Sequence, residues 1–173
     1  MDLMMSGKDL AEFSVECAGV VRDYAQALVK DKVPMDKYVI QKTVRFDTKT
    51  QSLPHLQAAY RLNDRIASGA QTKEPVMSGQ RVPYVVHRGT KREVSTKLGD
   101  RADDPDWVKE KKLRVDRLYY AKQMVEPAVE RMCVFLTDHT KLEIKKTFSE
   151  ARRKIRLQLN NQKAITSFFK LRA

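Results

Sequence analysis

The chain has 173 residues, of which 34 are Lys or Arg and 22 are Asp or Glu, so its formal net charge at pH 7 is +12. A hydrophobic content of 42% makes a core feasible and disfavours wholesale disorder. The composition excludes a collagen-like protein, and the presence of only two cysteines excludes a disulfide scaffold and favours a reducing compartment. No apolar run reaches the roughly 20 residues of a bilayer span, and the first ten residues do not resemble a secretory signal.

The positive charge is concentrated in two segments, 37–101 and 141–173, each with a net charge of +8. A basic balance of this kind favours polyanionic partners, most often nucleic acid. Two solvated charged faces with no partner are the alternative interpretation.

The first half of the chain shows two helical patterns. Apolar residues at steps of three and four, Val20 among them, predict a helix from Ala11 to Lys30 that ends before Pro34. The run 38–40 is typical of a short strand, and 43–51 reads as a polar loop. Pro54 opens a second helix that stops near Gly69.

Within this second helix, the periodicity places Leu56, Leu62 and Ile66 on the inward face. Arg61 and Arg65 fall on the outward face.

The middle of the chain predicts the small β element. Residues 82, 84 and 86 alternate as in a strand, and Pro83 indicates an edge strand or a bulge. Residues 88–101 are expected to form an exposed basic loop. Asp103 and Asp104 before Pro105 predict the start of a further helix.

The last third is helical in pattern. A helix is predicted from Asp116 to Leu136, kinked or divided at Pro127, and another from Lys141 to Leu159. The sequence therefore predicts a mainly α fold with a small β element.

No catalytic or metal site is predicted from the residues themselves. The cysteines and histidines lie without the paired spacing of zinc ligands, and nucleophile elbows and glycine-rich phosphate loops are absent from the sequence. Asp103, Asp104 and Asp106 are interpreted as helix-capping residues rather than as a two-metal cluster.

The C-terminal segment carries a distinct pattern. Gln162 is followed by Ile165 and then by the adjacent Phe168 and Phe169. In one helical turn, the three apolar side chains would converge as a plug beside the glutamine amide. This pattern resembles the PCNA-interacting peptide (PIP box) that docks on sliding clamps. An apolar tail folded back on the core is the alternative.

An ordered set of motifs lies upstream, over about residues 20–136. They comprise Tyr38-Val-Ile40 with Lys42, Pro54-His-Leu-Gln-Ala-Ala59, Ser78-Gly-Gln-Arg-Val-Pro-Tyr-Val-Val86, Asp100-Arg-Ala-Asp-Asp-Pro105 and Asp116-Arg-Leu-Tyr-Tyr120 with Gln123 and Pro127. In order and approximate spacing, this set resembles the thumb and C-terminal region of family B DNA polymerases. The residues within the motifs are most similar to those of viral, delta-like enzymes. Tyr84, Tyr119 and Tyr120 match family positions and are expected to be core residues.

This resemblance implies a thumb-like domain at 1–140 and a basic helical tail at 141–173 with a clamp-binding peptide at 162–169. It implies that the chain grips primer–template duplex DNA, through phosphate contacts, and docks on a PCNA-like sliding clamp. The candidate DNA-binding residues are Lys42, Arg45, Lys49, Arg61, Arg65, Arg81, Arg88, Lys91, Arg92 and Lys97. The clamp-binding residues are Gln162, Ile165, Phe168 and Phe169.

The polymerase palm motifs with the catalytic aspartates are absent from this sequence. The resemblance therefore implies that these 173 residues need a palm-containing chain, or the rest of the same polypeptide, in which Mg²⁺ would be bound. The chain alone is expected to be inactive as a nucleotidyltransferase and to hold no cofactor. Its expected location is intracellular, in the nucleus or at a viral replication site.

Two other functions stay open at this point. A small DNA-binding or clamp-binding adaptor without a polymerase partner would carry the same basic segments. A protein of the membrane surface is disfavoured, because the basic tail lacks a Trp- and Leu-rich face.

Overall fold

The computed structural model describes residues 9–46, 51–88 and 97–170, and the side chains as far as residue 160. The predicted fold class is confirmed: helices predominate and the β element is one three-stranded antiparallel sheet. The chain divides into two compact units, a helical unit (1–33 and 117–173) and a sheet-containing unit (34–116). The helix that begins at Asp138 packs within the helical unit. The expected boundary at residue 140, between a thumb-like domain and a clamp-binding tail, stays a prediction.

The helical unit is built around two long helices, α1 (Leu10–Val29) and α6 (Asp138–Lys170), which pack against each other. The shorter segments between them are α4 (Arg117–Tyr119), a π-helical turn (Tyr120–Val125), α5 (Glu126–Met132) and a 3₁₀ turn (Cys133–Phe135). The π turn lies directly before the predicted break at Pro127, which has no N–H to continue an α-helical ladder.

The core of the helical unit differs in detail from the predicted helix face. Phe148 and Ile144 of α6 pack on Val21 of α1. The face of α1 is completed by small residues such as Ala18 and Ala25, whereas Val20 is 60% exposed. Small side chains at the helix contact let the large ones of α6 approach, a choice that helical periodicity does not reveal.

Two polar residues fix the ends of α1. Asp9 caps its first turn by accepting a hydrogen bond from the backbone N–H of Ala11 at 3.1 Å. At the other end, the buried Arg117 guanidinium donates to the carbonyls of Leu28 and Val29, both at 2.8 Å. Arg117 thereby satisfies carbonyl groups that a helix end leaves without intrahelical partners.

The sheet-containing unit has strand order β1 (Ile40–Thr43), β2 (Arg81–Val86) and β3 (Ala102–Asp103). Its helices are α2 (Pro54–Ala67) and α3 (Pro105–Glu110), with 3₁₀ turns at Met35–Tyr38 and Gly99–Arg101. Gly69, with φ +74°, follows α2 as predicted. The core joins one face of the sheet to α2 through Val44, Val82, Leu56 and Ala59.

Three expectations for this unit were wrong in detail. Tyr38 belongs to a 3₁₀ turn and the strand begins at Ile40. β2 is the central strand, and it accommodates Pro83 because β3 pairs only with Val85 and Val86.

The third concerns the predicted exposed loop 88–101. Residues 89–96 lie outside the described residues, but Gly99 at its end is buried. A Cβ atom at Gly99 would lie 2.8 Å from the carbonyl oxygen of Ser52, so the close approach of these backbones requires glycine.

Candidate nucleic-acid interface

The β1–β2 pair has one packed face and one solvated face. The strand register sets Gln41 opposite Pro83 and Thr43 opposite Arg81, and Gln41, Thr43 and Arg81 are exposed. Residues directly opposite each other in an antiparallel pair share a face. The outer face therefore offers an amide, a hydroxyl and a guanidinium group, the types of side chain that bind phosphate oxygens.

Two further candidate cations lie at this end of the pair. Arg45 follows two residues beyond Thr43 and is exposed, on the same side by the alternation of side chains. Lys42 is exposed as well, but it lies opposite the buried Val82, on the side of the pair that packs against α2. Lys42 also affects His55: burial and the Lys42 charge lower the pKa of that imidazole. We call Gln41, Thr43, Arg45 and Arg81 the basic sheet face; it brings together two of the predicted DNA-binding residues, Arg45 and Arg81.

Arg61 and Arg65 do not face outward as predicted. Arg61 donates to the carbonyls of Gly99 (2.6 Å) and Ala102, and its Nε lies 3.4 Å from Asp103. Arg65 donates to the Asp103 carboxylate at 2.5 Å. Both cations compensate a carboxylate that is nearly removed from water, so their guanidinium groups hold α2 to β3.

The other predicted cations have different surroundings. Arg88 is half-buried and its backbone N–H donates to the carbonyl of Arg114 at 2.9 Å, while Lys97 is exposed. The remaining three predicted DNA-binding residues lie outside the described residues; they are Lys49, Lys91 and Arg92.

The aspartates at 103, 104 and 106 form a capping and ion-pair cluster, as the capping interpretation predicted for Asp104. Asp104 is the N-cap of α3 and accepts the backbone N–H groups of Asp106 and Trp107. Lys73 contacts Asp104 at 2.8 Å and Asp106 at 2.5 Å. Burial alone would lower the pKa of Lys73, but these hydrogen bonds and charges raise it.

Sequence reasoning missed Lys73 and the aromatic partner of Arg65. The ring of Trp107 contacts two cations: the Arg65 guanidinium lies 4.4 Å from its centroid and the Lys111 ammonium 4.3 Å. A lone Trp directly after a capped helix start is the signal that could have indicated a packed cation site here.

The buried His87 sits among charges of both signs. Burial is the largest influence and lowers its pKa; Asp103 and Asp116 oppose this shift, whereas Arg61 and Arg101 add to it. These influences together favour the neutral form of the imidazole.

The histidines and cysteines give no metal centre within the described ranges, where no cluster of three potential ligands is found. His139 is exposed, and Cys17 and Cys133 belong to the apolar core of the helical unit, where burial raises the pKa of both thiols. In the same part of the chain, no helix is long and apolar enough to cross a bilayer.

The backbone of the predicted clamp peptide is the last part of α6, which continues as α-helix to Lys170. The side chains of Gln162, Ile165, Phe168 and Phe169 lie outside the described residues. Their convergence into an apolar plug stays a prediction.

The fold and the basic sheet face define a mainly helical protein with a surface suited to a polyanion. The sequence profile of DNA polymerase family B matches residues 1–135, and the chain belongs to this family.

Curated and solved relatives agree with this assignment. The chain is 33% identical over 174 residues to the DNA polymerase of Paramecium bursaria Chlorella virus NY2A, covering 91% of this chain and 18% of that protein. It is 30% identical over 159 residues to the DNA polymerase of Thermococcus hydrothermalis, covering 91% of this chain and 8% of that protein. The family B DNA polymerase from the hyperthermophilic archaeon Pyrobaculum calidifontis superposes with a TM-score of 0.60 at 28% identity, over 78% of this chain and 16% of that chain. The chain thus spans less than a fifth of the length of these relatives.

Proposed function

We propose that this chain is the thumb and C-terminal portion of a replicative family B DNA polymerase, which grips primer–template duplex and docks on a sliding clamp. Catalysis then belongs to a palm-containing chain or to the rest of the same polypeptide. The observation that carries the duplex-binding role is the basic sheet face, an exposed polar surface within the residues that match the family.

The basic sheet face suits the sequence-independent part of duplex binding. Guanidinium and ammonium groups displace counterions from phosphates, while amide and hydroxyl groups donate to phosphate oxygens. Arg81 lies in β2, and Arg45 directly follows Val44, whose backbone is hydrogen-bonded to Gly79 and Gln80, so both backbone positions are fixed before binding. Arg61 and Arg65 act indirectly in this proposal, since their guanidinium groups bind Asp103 and backbone carbonyls.

The duplex role predicts a specific salt dependence. In the double variant Arg45→Gln, Arg81→Gln, the plot of log affinity against log salt should become shallower by about 2, roughly one for each lost phosphate contact. Fluorescence anisotropy with a labelled primer–template duplex, over a series of NaCl concentrations, measures this slope.

The matched control is Lys37→Gln, Lys109→Gln, which removes the same charge from exposed positions of the same unit. If both double variants change the slope equally, the sheet face has no special role. A wild-type affinity that does not fall with salt would contradict phosphate binding altogether.

Clamp docking through residues 162–169 is the second part of the proposal. Its support is the spacing of Gln162, Ile165, Phe168 and Phe169 at the end of a helix whose first part is anchored by Phe148 and Ile155 in the core. Tethering to a clamp raises processivity by increasing the effective concentration of the polymerase at the primer.

Calorimetric titration with a PCNA-like sliding clamp tests this part. Wild-type chain should bind with nanomolar to micromolar affinity, and Phe168→Ala, Phe169→Ala should lose at least about tenfold, because buried aromatic anchors dominate interfaces. The control Leu142→Ala, Leu157→Ala removes two exposed apolar side chains from earlier turns of α6 and should bind normally. Equal binding by all three proteins would refute the tail assignment.

A further inference from the structure

The helical unit contains an open groove of about 570 Å³ between α1 and α6. Its α1 wall runs from Arg22 to Lys30, at positions 22, 25, 26, 29 and 30. Its α6 wall runs from Glu143 to Lys154, at positions 143, 146, 147, 150, 151 and 154. Both walls follow the three- and four-residue spacing of a single helix face.

This spacing is typical of a groove between two helices into which a third helix can pack. The walls are about 12 Å and 16 Å long at 1.5 Å per residue, so they would contact two to three turns of a partner helix. Ala25 and Ala151 are buried at the floor, with the half-buried Val29 beside them. Small floor residues let the backbone of a docked helix come close, as at other helix contacts.

The rim of the groove has an excess of positive charge. Arg22 is paired with Glu143, which leaves Lys30, Lys146 and Lys154 against Glu150. All three lysines are exposed, and among the residues that the structure describes none forms an ion pair. Carboxylates on a partner would therefore find cations on both walls.

The groove suits a peptide better than nucleic acid. A duplex presents a phosphate about every 1.7 Å of its axis and could not avoid Glu150, which lies midway along the α6 wall between two lysines. The space between helices whose axes lie about 8–10 Å apart is also narrow for a duplex. A helix can instead place acids beside the lysines and a neutral residue against Glu150.

We propose that the α1–α6 groove is a docking site for an acidic amphipathic helix of a partner protein. The partner presents a narrow stripe of small or aliphatic residues to Ala25, Val29 and Ala151, and its flanking carboxylates meet Lys30, Lys146 and Lys154. This site is independent of duplex binding by the basic sheet face.

The experiment uses the full 173-residue chain and a labelled synthetic 18-residue helical peptide. The peptide carries Leu and Ala at i, i+3, i+4 and i+7, flanked by Glu. We expect saturable binding in fluorescence anisotropy and chemical-shift changes at the ¹³C-labelled methyl groups of Ala25 and Ala151. The methyl groups of Ala58 and Ala59, which are buried in the sheet-containing unit, should not shift.

The double variant Lys146→Glu, Lys154→Glu should bind the peptide about tenfold more weakly, since it reverses two rim charges. The matched control Arg153→Glu, Arg156→Glu reverses two exposed charges on α6 outside the groove and should bind as wild type. Circular dichroism checks that both variants keep their helices.

Three results would overturn the proposal. One is equal binding of a scrambled peptide of the same composition, which would show charge attraction alone. Another is equal weakening by the control variant. In the third, the variant Lys146→Glu, Lys154→Glu binds the peptide as tightly as the wild type does. That variant instead binds a 20-bp duplex more weakly, or no longer self-associates in light scattering. Because the sheet-face variants are not used here, failure of this site leaves the duplex experiment unaffected.

Discussion

Asp103 is 5% exposed and carries its charge into a part of the sheet-containing unit from which water is nearly excluded. Two guanidinium groups from α2, those of Arg61 and Arg65, compensate this charge. A buried carboxylate without such partners would be neutralised or would unfold its surroundings. Two arginines that the sequence places on a helix surface thus stabilise the fold.

Replacing this carboxylate should be costly. We expect Asp103→Asn to lower the free energy of unfolding by about 3 kcal/mol, because it leaves two largely buried guanidinium groups without their counterion. Urea denaturation at pH 7 measures the change. Asp36→Asn is the control, since the exposed Asp36–Lys37 pair at 3.8 Å should contribute less than about 1 kcal/mol. Equal losses in both variants would contradict a stabilising role for the Asp103 contacts.

His87 gives the stability a pH dependence whose sign follows from burial. Because its pKa is lowered in the folded chain, the unfolded chain binds more protons as the pH falls through about 6.5. The stability that neutral His87 contributes is present above that pH and is lost progressively below it, until the pH passes the folded-state value.

We therefore expect wild-type stability to fall more steeply between pH 7.5 and 5.5 than that of His87→Gln. Urea denaturation at several pH values measures both slopes. The variant His139→Gln replaces an exposed ring and should follow the wild-type slope. A His87→Gln slope as steep as that of the wild type would refute the role of this histidine.

At the scale of elements, α1 and α6 show how far periodicity predicts a helix face. The sequence predicts both helices, and in the second the apolar Phe148 and Ile155 are buried. For α1 the pattern includes Val20, which is exposed, and gives no weight to Ala18 and Ala25, which are buried. The chosen face depends on which stripe the partner helix covers, and α6 lies more than a hundred residues away in sequence.

Substitutions should distinguish the buried face of this helix pair from its exposed face by their effect on the free energy of unfolding. Phe148→Ala is expected to cost about 3–5 kcal/mol of unfolding free energy, because it leaves a cavity in the core of the helical unit. Val20→Ala should change it by less than about 0.5 kcal/mol, since that side chain is mostly exposed. Thermal and urea denaturation test the pair; similar effects would contradict the observed choice of face.

At the scale of the whole molecule, the tertiary structure joins segments that are distant in sequence. Residues 1–33 and 117–173 form one compact unit, and 34–116 form a contiguous unit with its own core. A division of this kind depends on long-range packing, which motif spacing does not record. The boundary at residue 140 between a thumb-like domain and a clamp-binding tail stays a prediction.

The sequence by itself determined the fold class, the positions of the main helices and the central strand, the cap at Asp104 and the family, because propensity, periodicity and motif order are local properties. Only the tertiary structure decided which cations lie on the surface. Arg61 and Arg65 turn inward because folding brings the buried Asp103 within reach of α2, whereas Arg45 and Arg81 lie on the exposed sheet face. The charge of a side chain follows from the residue type, but whether that charge is exposed or buried depends on contacts between segments about 40 residues apart.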